Sequence, residues 1–333
     1  MQAKLLIRNI PALIWQGLET LASRNNRSLE GEARMALQSW VEPQVQGEAR
    51  SARRLEVSAR LRALLEEARK AIPGTALKLS RLAEGLGMQK VEPVEQWFAG
   101  EVEPTLEDLG LVARYLGGSY EWLQHGDGSM FPVDHCRLSE NAAEAVQALL
   151  PSPSFDKQSA QWGLKLTHLH LLREAGSSGR FGFVRQYENL KFRTFNTPHR
   201  ISDEVGTSGR GSLVRLCVAF ELLDALYKSR VIKTKVGVIK SYVLPDSEFN
   251  ALMNGEVHPL FILKFSANDC PWWEDIWDRT MFPQKEYWPG WKSLCASLFD
   301  AVQSDRNLRE ESDSVRNRTH PVLQPQYVEN GAL

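Results

Sequence analysis

Nowhere in the 333 residues is there an apolar run of the ~18 residues needed to span a membrane. The chain opens Met1-Gln2-Ala3-Lys4 and passes at once into a short alternating segment, with no hydrophobic signal stretch and no small-residue cleavage site, so a secreted fate is not expected. Cysteine is scarce. Cys136, Cys217, Cys270 and Cys295 lie far apart with no C-x-x-C pair, which argues against a disulfide framework and against structural zinc, and fits a reducing cytoplasm. Repeats and low-complexity runs are absent. So is an excess of charge of either sign: 40 Lys+Arg stand against 41 Asp+Glu, a net of −1. A protein that holds nucleic acid by bulk charge is thereby excluded, whereas a small local DNA-reading surface is not. What is present is ordinary globular composition, 43% hydrophobic and 24% charged, in a length that suits two to three domains.

Composition shifts divide the chain. Residues 1–42 are compact and patterned; residues 43–57 are polar and Arg-rich and read as a linker or an extended helix. Residues 58–132 are helical by periodicity. Residues 133–156, with Pro151 and Pro153, read as a second linker. Residues 157–304 mix helices and strands, and residues 305–333, dense in charge, read as a disordered tail. The expected whole is multidomain, with an all-α middle and an α+β third domain built on an antiparallel sheet.

Residues 3–10 (AKLLIRNI) alternate, with Lys4, Leu6 and Arg8 on one face and Leu5 and Ile7 on the other. Pro11 ends this strand and suits the first turn of a helix. Leu13, Ile14, Leu18, Leu21 and Ala22 then recur near the helical period up to Arg24. Asn25-Asn26 marks a turn, and Ser28 is placed to cap a second helix whose first turn carries Glu30 and Glu32. Leu29, Ala33, Ala36, Leu37 and Trp40 form its apolar stripe. A lone strand leaves its backbone groups unpaired, and ~40 residues make too small a core. Pairing with a second copy solves both problems and yields a two-stranded ribbon, which fits the major groove.

The strings LLIRNIP and RNNRSLEGEARMAL resemble the ribbon-helix-helix fold of Arc-type repressors and short antitoxins over residues 3–41. The resemblance implies that Lys4, Leu6 and Arg8 face the bases and that Arg27 and the Ser28 helix terminus meet the phosphate backbone. Asn26 stands where that family usually has Gly, and Asn tolerates the left-handed conformation required there.

In residues 58–132, Leu61, Leu64, Leu65 and Ala68 mark one helix, stopped by Pro73-Gly74. Leu77, Leu79, Leu82, Ala83 and Leu86 mark the next, capped by Gly87. A third segment with Val91, Val94, Trp97 and Phe98 ends at Gly100, and a fourth opens at Pro104-Thr105-Leu106. Together with Glu121-Trp122-Leu123, this pattern resembles the Xre/lambda-repressor helix-turn-helix family. The resemblance implies a recognition helix from about Glu92 to Ala99, with Gln89, Lys90, Glu92, Glu95 and Gln96 as candidate base-facing positions. The region carries 8 basic and 11 acidic residues, which handicaps attraction to phosphate, so a role in dimerisation or docking stands beside DNA reading.

Beyond residue 150 no family is recognised. A helix is expected over about 159–173, a hairpin over 180–195 turning at Asn189, a strand pair at 231–244 and 258–265, and a last helix over 288–304. The G-T-S-G-R-G-S run at 206–212 precedes a helix but lacks the P-loop Lys, so a flexible loop with a cap is expected. Five of ten tryptophans fall between Trp272 and Trp291, which favours an aromatic core layer over a stacking platform. His168 and His170, placed on a helix, would lie on different faces and could not chelate. No metal, cofactor or catalytic constellation is expected. The expected function is a DNA-binding repressor of a bacterial or mobile-element operon, cytoplasmic and nucleoid-associated. Its expected partners are a double-stranded operator, a second copy of itself and a small-molecule or protein effector. An autoregulating antitoxin is the first rival, and an enzyme fused to a DNA-targeting module the second.

Overall fold

A computed structural model describes residues 7–71, 77–150, 164–188, 191–229 and 236–324. Lys4, Leu6, the Pro151/Pro153 break, the Asn189 junction and residues 325–333 lie outside that range.

Helix α1 spans Ala12–Arg24, and α2 runs unbroken from Leu29 to Ala71. Residues 43–57, expected as a linker or an extended helix, are therefore helical. Their Ala, Glu, Gln and Arg are good helix formers, so low apolar content does not by itself signal a loop. Four shorter helices follow: α3 (Leu79–Gly85), α4 (Glu92–Ala99), α5 (Leu106–Leu116) and α6 (Tyr120–His125). The ends at Gly87 and Gly100 are those the sequence signals, and both glycines take the positive φ that a turn there requires; Gly117 and Gly126 do the same after α5 and α6. Thr105 and Asp108 form a reciprocal capping box at the start of α5.

The C-terminal half is built on a five-stranded sheet in the order β1-β4-β3-β2-β5: β1 (Val133–His135), β2 (Leu166–Glu174), β3 (Arg180–Tyr187), β4 (Phe192–Arg200) and β5 (Val236–Leu244). The sheet is mixed, not antiparallel as expected. β2–β3 and β3–β4 are antiparallel, whereas β2–β5 and β1–β4 are parallel. The reason is the 22-residue helix between β4 and β5, α8 (Thr207–Lys228), which returns the chain so that β5 enters alongside β2 in the same direction. α7 (Ala142–Leu149), α9 (Asp246–Met253), α10 (Trp291–Ser304) and α11 (Arg306–Arg316) complete the domain.

Four further expectations are corrected. Residues 166–174 form a strand, not the second half of a helix, because Leu169 and Leu171 alternate with His168 and His170 at a strict period of two. Residues 259–266 are helical, not a strand. His258 caps them through the Leu260 amide with Pro259 at the first helical position. The supposed linker 133–156 supplies β1 and the buried α7. The supposed tail supplies α11, whose Leu308, Ser312 and Val315 are buried at helical spacing.

The sheet carries a core on each face. On one face Leu169, Leu171, Phe181, Phe183 and Phe195 pack under α7, α8 and α10 together with Trp272, Trp273 and Trp291, so the tryptophans are core. On the other face Leu172, Val184, Phe192, Tyr242 and Leu244 join a cluster that also contains Leu61, Leu64, Leu82, Trp97 and Val112. The helices of residues 58–125 thus pack directly on the sheet through a shared apolar core, which makes independent motion of the two parts costly.

Candidate nucleic-acid interface

The N-terminal residues are organised by local chemistry. Asn9 and Asn26 hold positive φ, the left-handed conformation that their short amide side chains tolerate. The Asn26 turn lets α2 start immediately. There the Ser28 hydroxyl accepts from the Gly31 amide at 3.1 Å, making Ser28 the N-cap. The Asn25 amide donates to Glu32 at 2.8 Å, and Arg27 reaches the same carboxylate at 3.7 Å. Arg8 and Arg27 are solvent-facing.

The described residues of the chain leave the apolar stripe of this hairpin uncovered. Leu13 is 84% exposed and Trp40 65%, and Ile7, Ile14, Trp15, Leu21 and Met35 are exposed beside them. Among its described residues, only Ala22 is a buried hydrophobic. A contiguous exposed apolar face of this kind marks an association surface.

The candidate recognition helix is α4. Its inner face, Val94, Trp97 and Phe98, is buried against α2, α3 and α5. The C-terminal half of α2 clamps its end: Ser58 Oγ donates to the Phe98 carbonyl at 2.7 Å, Arg62 to the same oxygen at 3.2 Å, and Arg54 to the Glu101 carbonyl at 3.0 Å. Gln89, Lys90, Glu92 and Glu95 are exposed, and Gln96 is half-buried. Arg81 is paired with Glu84 at 2.9 Å and Arg53 with Glu103 at 2.7 Å. The outer face of α4 therefore presents carboxylates with Lys90 as its nearest basic neighbour in sequence. One continuous helix, α2, carries the capped N-terminal hairpin at one end and this bundle at the other.

The C-terminal candidates resolve differently. His168 and His170 share one face of β2, not two faces of a helix, with rings stacked 5.4 Å apart. His170 uses both ring nitrogens, with Tyr242 Oη at 3.2 Å and Gln186 Oε1 at 3.0 Å, and burial holds its imidazole down to about 4. No group of metal-ligating side chains is found among the described residues. Gly206 caps α8, and the run after it is the first turn of that helix rather than a loop. Beside it lies a 520 Å³ surface groove lined by Arg137, His199 and Arg200. The buried Glu221, which accepts from Ser312 at 2.7 Å and from Arg316 at 2.7 Å, ties α11 to α8. Sequence reading missed this latch because its partners lie more than ninety residues apart.

Residues 3–41 match the family model of the FitA-like antitoxin ribbon-helix-helix domain. No curated protein and no solved structure matches the chain. Ribbon-helix-helix domains bind DNA and dimerise, and the match points to a DNA-binding regulator of the antitoxin or repressor kind. No described helix is long and apolar enough to cross a membrane.

Proposed function

We propose that this protein is a sequence-specific transcriptional repressor of a bacterial or mobile-element operon. It reads the major groove with an antiparallel ribbon made from residues 3–10 of two copies. The observation that carries the reading is the uncovered apolar face of α1 and the start of α2. In a monomer it is exposed, and in a paired ribbon-helix-helix it becomes the core. Lys4, Leu6 and Arg8 are the base-facing residues of this reading, and Arg27 and Ser28 meet phosphate. Helices α3–α6 act as an Xre-type helix-turn-helix unit. Gln89, Lys90, Glu92 and Gln96 there adjust site preference or docking rather than supply the main affinity, because their surroundings are acidic.

One rival is an autoregulating antitoxin whose C-terminal part binds a toxin; the domain model matched at residues 3–41 is described as antitoxin-like. Co-purification of a small toxin with the intact chain from its native host would support that rival. The repressor reading is tested by titrating the intact chain against a selected duplex at several salt concentrations. A dimer whose affinity falls steeply with salt supports it. A monodisperse monomer with a folded N-terminal hairpin, or equal affinity for all duplexes, overturns it.

A further inference from the structure

A groove of about 620 Å³ opens between α5, the start of α6, and the β1–β4 edge of the sheet. Its size falls in the range of small-molecule sites, and it lies where two packed parts of the chain meet, a common place for them. Its apolar lining comes from Leu106, 53% exposed, Leu111, Tyr120 and the buried Phe192.

The charges around it are unevenly matched. Arg193 is held by Asp134 at 2.6 Å and is neutralised in place. Arg114 and Lys191 are not ion-paired among the described residues. Lys191 Nζ donates to the Arg114 carbonyl at the C-terminal end of α5, and both residues line the groove. Burial, and then the charge of Arg114, hold the Lys191 ammonium below its usual pKa. Two cations without an ion-pair partner among the described residues thus line the same groove. Of the carboxylates lining the same groove, Glu121 faces His125 at 4.0 Å. Glu107 sits in the first turn of α5, about 10 Å along the axis from Arg114 at 1.5 Å per residue.

We propose that this groove binds a small amphipathic anion, an aromatic or aliphatic body carrying one carboxylate or phosphate, with the anionic group on Arg114 and Lys191. The ligand would bridge α5 and β4, and so the helix-turn-helix unit and the sheet. Binding does not depend on the repressor reading; only its regulatory consequence does.

The test is calorimetric titration of the intact protein, without DNA, using 2-naphthoate, 2-naphthyl phosphate and the uncharged 2-naphthamide. At least one of the two anions is expected to bind at least about tenfold tighter than the amide, as charge-assisted hydrogen bonds require. Preference between carboxylate and phosphate identifies the headgroup. Arg114→Gln, on an exposed side chain, and Lys191→Gln should each weaken that binding about tenfold. Lys285→Gln, an exposed residue that does not line the groove, should not change it. Because Lys191 also holds the end of α5, Arg114→Gln decides if Lys191→Gln misfolds. Failure of both anions to bind, equal affinity for the amide, or wild-type affinity in Arg114→Gln would overturn the proposal. None of these results bears on DNA reading. If binding is found, unchanged operator affinity with the anion bound would remove only its regulatory role.

Discussion

Mild acid should loosen the seam between the helical bundle and the sheet, and His258 gives that effect a size. Its side chain is 2% exposed, and Nδ1 accepts from the Leu260 amide at 3.2 Å. The ring lies edge-on to Phe131 at 5.2 Å and Phe192 at 4.7 Å. A proton on Nδ1 would remove the acceptor and place a charge among aromatic rings. Burial, and then the nearby Lys264 charge, hold the folded pKa down to about 3, against ~6.5 for an unfolded chain. Between those values the unfolded state binds the extra proton. The contribution is therefore intact above about pH 6.5 and is lost as pH falls toward 3. One such group gives about 1.4 kcal/mol per pH unit, hence about 2 kcal/mol between pH ~8 and pH ~5. His170, held at about 4, acts in the same sense. Glu221, Asp224 and Glu274 are raised by burial and act in the opposite sense, losing stability as pH rises through their folded values. The comparison must therefore be between variants. His258→Asn keeps a short capping acceptor but does not titrate. Urea unfolding followed by tryptophan fluorescence should show that it loses about 2 kcal/mol less than wild type on going from pH ~8 to pH ~5. Parallel pH profiles for the two proteins would refute the reasoning.

Leu13→Glu combined with Trp40→Glu should convert a dimer to a monomer in sedimentation at low micromolar concentration, leaving the unfolding transition of the C-terminal sheet unchanged. Leu61→Ala removes a fully buried side chain from the shared core and should cost roughly 2–5 kcal/mol in urea unfolding. Arg316→Ala leaves Glu221 buried with only Ser312 as a donor among the described side chains. Its cost should be roughly 1–3 kcal/mol, reduced because Arg316 is partly solvent-exposed. Lys90→Ala and Gln96→Ala should each weaken operator binding less than Arg8→Ala in titrations at fixed salt. A reversal of that order would make α4 the principal reader.

Local signals in the sequence were legible where the chain obeys a short-range rule. Ser28 caps as its position before Leu29 and Glu32 implies, Asn26 takes the left-handed turn, and Gly87 and Gly100 end helices at the expected places. The β3–β4 hairpin follows from alternation and the strong β-formers Phe, Val and Tyr. Long-range facts were not legible. The direction of β5 depends on α8, which periodicity describes as a helix but does not place. HPLFILKF is apolar on every side, so strand and helix cannot be told apart by period. α11 was hidden because its apolar residues are few, although Leu308 and Val315 lie two turns apart on one face. Of the candidate interface, Ser28 and the apolar stripe could be read directly. The groove between α5 and β4 could not, since its walls come from segments some seventy residues apart.

The most direct test of the central claim is selection of bound genomic fragments by the purified intact chain, repeated with Arg8→Ala. The account predicts enrichment of a few fragments bearing two related half-sites. It also predicts that Arg8→Ala weakens binding to them by roughly 2–6 kcal/mol per dimer, two guanine contacts of ~1–3 kcal/mol each. No enriched sequence, or enrichment that Arg8→Ala leaves intact, would contradict it.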